Sequence, residues 1–346
     1  MKRKRFRELG DYGVLWNNLF YYKFVTLNKI TIMKKNLFLF GFVLIATTMM
    51  AQTEKSESWY FKVGGSYFNQ TASTEFPTVG GNDALSKVYQ GGKLISEESI
   101  TGSFGQGFRT GVTAGYRFNA RLGVEMGINY YSSNEKTMAQ TVSDLPITPT
   151  GVYSFKSVGQ ITAFDLAPSL VLFLGEHKGF EPYTKVGILV PIHGDLEITS
   201  DAYAPIAFSS TGVPTAFGNV HSVDVVKPNP TIGFSAAMGT SYKIGKNISL
   251  FAELEYRNFT VHGKTKETTE FTVNGTDALA TRTKAQIHTN YRERLDVNSN
   301  NPLFNPNTAT VIDKKDTTRP NEAMDELSSY VGISGLGLTL GLKYSL

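Results

Sequence analysis

The chain has 346 residues, 41% of them hydrophobic and 18% charged, with a formal charge of +4, so it is neither a disordered polyelectrolyte nor an evident partner for nucleic acid. It contains no cysteine, which excludes disulfides, thiolate metal sites and a cysteine nucleophile. Aromatic residues reach 12%, with Tyr and Phe far ahead of Trp, and glycine is abundant, a balance that fits a sheet protein better than a helical enzyme.

In chain order, Lys34 and Lys35 precede an apolar run at 37–46, and Ala51 supplies a small residue before polar sequence begins. This reads as a secretory signal over residues 33–51, with cleavage after Ala51. The apolar run is too short to cross a hydrocarbon core of about 30 Å. Residues 1–32 lie upstream of a complete signal and read as the product of a start codon placed too early, or as an unprocessed extension.

Beyond the signal the side-chain period is two. Trp59, Phe61, Val63, Gly65 and Tyr67 alternate with Tyr60, Lys62, Gly64 and Ser66, which predicts a strand. After a polar stretch at 69–106, Phe108 to Phe118 alternate with Arg109 to Arg117, and a second strand carrying Leu122, Val124, Met126, Ile128 and Tyr130 follows after a tight turn. The same unit recurs twice. Phe164 to Leu174 lead through a link at 175–179 to Thr184, Val186, Ile188, Val190 and Ile192, and Ile232 to Ile244 lead through a turn at 245–247 to Ile248, Leu250, Ala252, Leu254 and Tyr256. The last strand places Leu336, Leu338, Leu340, Leu342, Tyr344 and Leu346 on one face and Gly335, Gly337, Thr339, Gly341, Lys343 and Ser345 on the other.

An apolar outer face opposite a small and polar inner face is the pattern of a strand between lipid and a polar lumen. Unpaired backbone groups are intolerable in hydrocarbon, so such strands must close into a barrel. The expected fold is therefore all-β, a membrane-spanning up-and-down antiparallel barrel of eight strands within residues 52–346. Long connections at about 69–106, 131–159, 193–229 and 258–334 alternate with short ones, which places the long ones outside the cell. Two hairpin patterns, 87–96 around Gly91-Gly92 and 268–283 around Asn274-Gly275, read as extracellular; counted as membrane strands they raise the number to ten or twelve. Trp59, Phe118, Tyr242 and Tyr344 fall at the periplasmic ends, and Tyr67, Phe108, Tyr130 and Tyr256 at the outer ends, as two interfacial girdles.

With its export signal, alternating strands, alternating loop lengths and terminal strand 335–346, the chain resembles the small outer-membrane β-barrel proteins of Gram-negative bacteria, the OmpX type and the transmembrane part of the OmpA type. The resemblance covers about residues 59–346. It implies a cell outer-membrane location, contact with outer-membrane lipid, insertion by the barrel-assembly machinery, and no cofactor. Members usually end in Phe, whereas this chain ends in Leu346 after Tyr344, and no peptidoglycan-binding domain follows the barrel.

The inward positions carry Lys62, Arg109, Arg117, Glu125, Asp165, Lys185, Lys243, Glu253, Glu255, Arg257 and Lys343. An eight-stranded barrel is filled by its own side chains, and opposite charges confined there should pair and close it. Glu253, Glu255 and Arg257 with Arg109 and Asp165 are expected to form an upper network. The alternative is a narrow ion-selective pore. Enzymes of this architecture, lipid A acyltransferases and deacylases and surface proteases among them, need His with Ser or Asp at the outer rim. His193 with Asp195 and nearby Ser200, and separately His262, are the available candidates. No nucleophile motif surrounds them, and no metal-ligand spacing is present. The apolar stretch with Tyr203, Ile206 and Phe208 reads as a cover for the barrel mouth or a surface for a ligand, protein partner or neighbouring copy. Residues 296–302 and Asp313, Lys314, Lys315 and Asp316 read as a solvated tip. The expected function is that of a non-enzymatic outer-membrane barrel serving envelope integrity, adhesion or partner binding through its loops; a narrow channel and a rim-located lipid-modifying enzyme are the alternatives.

Overall fold

The computed structural model describes residues 58–147, 152–211, 213–229, 231–304 and 319–346. The signal at 33–51, the extension at 1–32 and the charged segment at 313–316 lie outside them. Eight strands follow one another: β1 (Ser58–Gln70), β2 (Gly107–Arg117), β3 (Leu122–Ser133), β4 (Val152–Phe173), β5 (Phe180–Phe208), β6 (Gly233–Lys243), β7 (Ile248–Asn258) and β8 (Gly335–Ser345). Each pairs antiparallel with the next, and β8 pairs with β1, so the barrel is closed with eight strands.

Within the membrane the usual burial rule is inverted. Val63, Val112, Ile128, Leu254, Leu338 and Leu340 stand exposed on the outer wall, while Lys62, Glu125, Asp165 and Glu253 are buried inside. Lipid takes the place of an apolar core there, and each exposed aliphatic face is satisfied by the bilayer. The short turns are built locally. The Asn119 carboxamide oxygen accepts the Arg121 and Leu122 N–H groups at 2.8 and 2.9 Å, which closes the β2–β3 turn, and the Arg121 carbonyl accepts the Phe173 N–H at 2.7 Å.

Above the membrane the structure departs from the expectation of loops at 131–159 and 193–229. Strands β4 and β5 continue far past the outer girdle, with Ser154 to Ile161 paired against Leu196 to Tyr203. A strand at Pro214–Asn229 runs back along β5, Thr260–Val273 pairs with that strand, and Lys136–Ile147 pairs with β4. The reason is a second inversion. In β4 the inward positions change from Asp165 and Ser169 to Ile161 and Phe155, and Ile161 and Phe155 are buried. In β5 a bulge at Pro191–His193 shifts the inward parity from odd to even, so that Leu196 and Ile198 also point inward. Pro191 offers no N–H to the ladder, and a bulge is where such a residue is tolerated.

Of these inward residues, Ile161, Leu196 and Ile198 join Phe76, Val79, Phe104, Met138, Val226 and Ile333 in one apolar cluster over the barrel mouth. The two doubtful hairpins both lie at the long-loop end, and neither enters the barrel. Leu85–Gln90 turns through Gly91 and Gly92 into Lys93–Ser99. Thr260–Val273 turns through Asn274 and Gly275, at φ of 51° and 77°, into the short strand Thr276–Asp277. Positive φ at both turn residues is the type I′ geometry that the Asn-Gly pair favours. The pairing expected to extend to residue 283 stops at Asp277, and a short 3₁₀ turn, Leu279–Thr281, follows.

Residues 296–302 are another departure. Ser299, Asn300 and Asn301 are buried, and the Asn300 carboxamide donates to the Arg319 and Ala323 carbonyls at 3.1 and 3.0 Å and accepts the Arg319 N–H at 2.6 Å. The segment is a knot that ties the last long connection together, and the Asn-rich composition serves internal hydrogen bonds as well as solvent.

Candidate functional site

The period-two rule sends Tyr60, Lys62, Gly64 and Ser66 of β1 inward, and the registers of the neighbouring strands decide what each one meets. At the short-turn end, Arg117 and Lys343 both reach Glu181, at 2.7 and 3.2 Å. The Arg117 guanidinium also lies 4.0 Å from the Phe173 ring centroid. Just above, Tyr60, Val171, Phe173 and Tyr183 form a fully enclosed cluster inside the barrel.

The middle layer is the tightest. Lys62 lies 2.5 Å from Glu125 and 3.0 Å from Glu253, and Lys185 lies 2.6 Å from Glu253. The Tyr60 and Tyr183 hydroxyls donate to Glu125 and Glu253 at 3.0 and 2.7 Å. Each carboxylate of the layer thus meets both a cation and a hydroxyl donor, as a buried charge requires. In the upper layer Arg109 holds Glu255 at 2.8 Å and Asp165 at 3.3 Å, and Asn129 donates to Asp165 at 2.8 Å. Above it Arg257 lies between the rings of Tyr131 and Phe68, with centroids at 3.7 and 4.3 Å. The Tyr131 hydroxyl donates to the Phe104 carbonyl at 2.6 Å, which joins this level to the apolar cluster over the mouth.

Ten of the expected lumen charges therefore lie inside the barrel: Lys62, Arg109, Arg117, Glu125, Asp165, Lys185, Glu253, Glu255, Arg257 and Lys343. Lys243 does not. Its side chain is 55% exposed at the short-turn rim and pairs with Glu176 at 2.9 Å, because the strand has left the lumen by that residue. The upper network also differs in membership: Glu255, Arg109 and Asp165 meet, Glu253 turns down to the two lysines, and Arg257 reaches no carboxylate. Glu181 was missed because the link ahead of β5 hid its parity with Tyr183 and Lys185. The inward aromatics Tyr60, Phe68, Tyr131, Phe173 and Tyr183 share the charged face, and that shared parity was the available signal.

The girdle residues Trp59, Tyr67, Phe108, Phe118, Tyr130, Tyr242, Tyr256 and Tyr344 are all exposed on the outer wall. Tyr116, Phe164 and Phe180 extend them, with ring centroids at 5.1 Å from Trp59, 5.0 Å from Tyr130 and 4.5 Å from Tyr242. On the closing strand Leu336, Leu338, Leu340 and Leu342 face outward, and Leu346, one residue past its end, is exposed.

His193 and Ser200 are not brought together. His193 lies 3.7 Å from Asp195 and its side chain is 70% exposed on the outer face, whereas Ser200 is buried on the inner face against the Ser157 hydroxyl. His262 contacts the Ser328 hydroxyl at 3.2 Å. Among the described residues no group of three or more His, Asp or Glu is placed to hold a metal ion.

Between the middle and upper layers a cavity of about 50 Å³ remains, lined by Lys62, Arg109, Glu125, Lys185, Glu253 and Glu255 among others. At roughly 15 Å³ each it has room for a few waters. An ion crossing the barrel would have to break buried pairs in every layer and then part the apolar cluster, at a cost of several kcal/mol per uncovered charge.

A closed antiparallel barrel with an aliphatic outer wall, aromatic girdles and a charged interior defines an outer-membrane β-barrel protein. The family model described as "Outer membrane protein beta-barrel domain" matches residues 40–277, and the chain belongs to that family, whose place is the outer membrane. Among solved structures it is similar to OprG from Pseudomonas aeruginosa, with 10% identity and a TM-score of 0.39 over 85% of this chain and 97% of that one. Outer membrane protein W of E. coli matches with 11% identity and a TM-score of 0.30 over 85% and 100% of the two chains. Neisserial surface protein A matches with 12% identity and a TM-score of 0.29 over 83% and 96%. No curated protein matches the sequence.

Proposed function

We propose that the protein is a closed, non-conducting and non-enzymatic outer-membrane barrel that acts through its extracellular sheet, in envelope integrity and in adhesion or binding of a surface partner. One observation carries this reading: three ionic layers and an apolar cluster lie in series across the lumen and leave a space of about 50 Å³. Export follows from the signal at 33–51, insertion from the barrel-assembly machinery, and the girdles rest in outer-membrane lipid. The partner surface is the outer face of the extension, where a groove of about 580 Å³ is lined by Lys156, Asp201, Tyr203, Asn219 and His221 among others. There Tyr203 stacks with Phe217 at 6.0 Å and Tyr153 meets it edge-on at 5.3 Å. Rings presented to solvent with polar neighbours are what surface recognition uses. The separation of His193 from Ser200 onto opposite faces supports the non-enzymatic part of the reading.

The test is planar-bilayer conductance of the purified, refolded protein. A silent bilayer together with a heat-modifiable, protease-resistant band on gels is the expected result. Steady charge-selective steps would overturn the closed lumen and favour the channel.

A further inference from the structure

The two rims of the outer wall differ in charge. At the short-turn end each turn carries one exposed cation of its own: Arg121 between β2 and β3, Lys178 between β4 and β5, and Lys246 between β6 and β7. Each is within four residues of an outward-facing ring, Phe118, Phe180 and Tyr242 in turn. The Arg121 Nη1 donates to the carbonyl of Leu174, whose side chain is exposed on the wall, so this guanidinium is fixed beside the lipid-facing surface. Glu176 is the one carboxylate in the three turns, and Lys243 holds it at 2.9 Å. Among the described residues Arg121, Lys178 and Lys246 are therefore left without an ion-pair partner.

The other rim has no such surplus. The outward positions next beyond Tyr67, Phe164 and Tyr256 are Asn69, Thr162 and Asn258, and the Lys136 ammonium there donates to the Gln106 side-chain oxygen at 2.6 Å. Strand β5 adds the carboxylate of Asp195, directly across from Thr162.

Three unpaired cations on one rim, each close to a girdle ring and an aliphatic wall, complement a lipid whose headgroup is negative. A soluble anion would meet the charge alone. A phospholipid meets the charge with its phosphate and the wall with its chains. We infer that the short-turn rim is a binding site for anionic phospholipid of the phosphatidylglycerol class, with one headgroup at each of Arg121, Lys178 and Lys246. The three turns are two strands apart around the barrel, so the sites act separately.

The experiment reads one site locally. The chain has two tryptophans, Trp16 and Trp59, and Phe180 stands two residues from Lys178 with its ring exposed on the wall. The full chain carrying Trp16→Phe, Trp59→Phe and Phe180→Trp is refolded into mixed vesicles of phosphatidylglycerol and phosphatidylcholine, with brominated chains on one lipid at a time. Quenching of the reporter at position 180 gives the relative occupancy of the two lipids beside Lys178. The expected result is a preference of about fivefold for phosphatidylglycerol, falling as salt is raised. Adding Lys178→Gln should bring the ratio close to one. Lys93→Gln, which removes the same charge from the far hairpin, should leave it unchanged. Equal quenching by the two lipids at low salt, a preference that survives Lys178→Gln, or its loss in Lys93→Gln as well would overturn the site. Should Lys178→Gln fail to refold, the salt series on the reporter protein decides: a preference that fades with salt supports the site, and one indifferent to salt overturns it.

Discussion

Gly64 and Gly341 face one another directly across the seam where the last strand closes on the first. Neither can carry a side chain without displacing its neighbours. A Cβ on Gly341 would lie 2.1 Å from the Val63 carbonyl oxygen and 2.6 Å from the Phe251 ring, and one on Gly64 would lie 2.8 Å from the Leu340 carbonyl oxygen. The ring of Phe251 occupies the volume the two glycines leave, which brings the β1–β8 seam into the packing of the lumen. Gly341→Val is therefore expected to cost about 1–3 kcal/mol through overpacking, or to prevent closure altogether. Urea unfolding of the refolded barrel measures the first outcome, and loss of the heat-modifiable band reports the second. A fully stable Gly341→Val barrel would contradict the register at the seam.

Glu253 is the hub of the middle layer, holding Lys62, Lys185 and the Tyr183 hydroxyl. Glu253→Gln keeps its shape and removes its charge, leaving two buried ammonium groups to share Glu125. The expected loss is about 3–5 kcal/mol, the penalty for uncovering a buried charge. Lys243→Ala is the contrast, since its pair with Glu176 is exposed on both sides and should change stability by no more than about 1 kcal/mol. Urea midpoints of the two variants, measured side by side, check the layer assignment.

The eight membrane crossings were legible because lipid imposes one rule on each of them: alternate residues apolar, the others small or charged. Inward parity likewise identified Lys62, Glu125, Glu253 and their neighbours, but not who pairs with whom. That depends on how far strands are staggered around the barrel, which parity leaves open; Glu253 therefore meets lysines on β1 and β5, and Glu255, two residues on, meets Arg109 on β2. The extracellular sheet was hidden by its own logic. Above the girdle Thr162, Gln160 and Lys156 occupy the outer face and Ile161 and Phe155 the inner one, so a search for apolar outer faces ends at Phe164 although the strand does not. In β5 the bulge at Pro191–His193 breaks the parity as well, and its position follows from partner strands that a single sequence does not display.

The turn at Asn274 and Gly275 holds the outermost hairpin of the Thr260–Val273 strand, with φ of 77° at Gly275 and the Asn274 side chain accepting the Asn219 N–H at 2.9 Å. A β-branched residue at Gly275 is strained in that conformation by about 1–2 kcal/mol. Gly275→Val is expected to loosen the extracellular sheet and leave the membrane part intact. Limited proteolysis should cut the variant faster within residues 260–290, with the heat-modifiable band unchanged. Equal digestion of both proteins would show that the turn contributes little.

Asp325 gives the extracellular knot a pH dependence. Burial alone would raise its carboxyl pKa, but the Asn300 N–H at 2.9 Å and the Arg292 Nε at 2.9 Å outweigh that and hold it below the usual aspartate range. A group whose folded pKa is depressed stabilises the fold above its unfolded pKa, here about 3.9. That contribution is present in full at neutral pH and is lost as the pH falls below about 4 and through the folded value. The segment around Asn300 should therefore open to pepsin at a pH where the barrel itself survives. Asp325→Asn should be pepsin-sensitive at every pH at which the protease works, since the amide cannot replace the ion pair to Arg292. A cleavage profile identical in the variant and the unaltered protein would place the acid-sensitive group elsewhere.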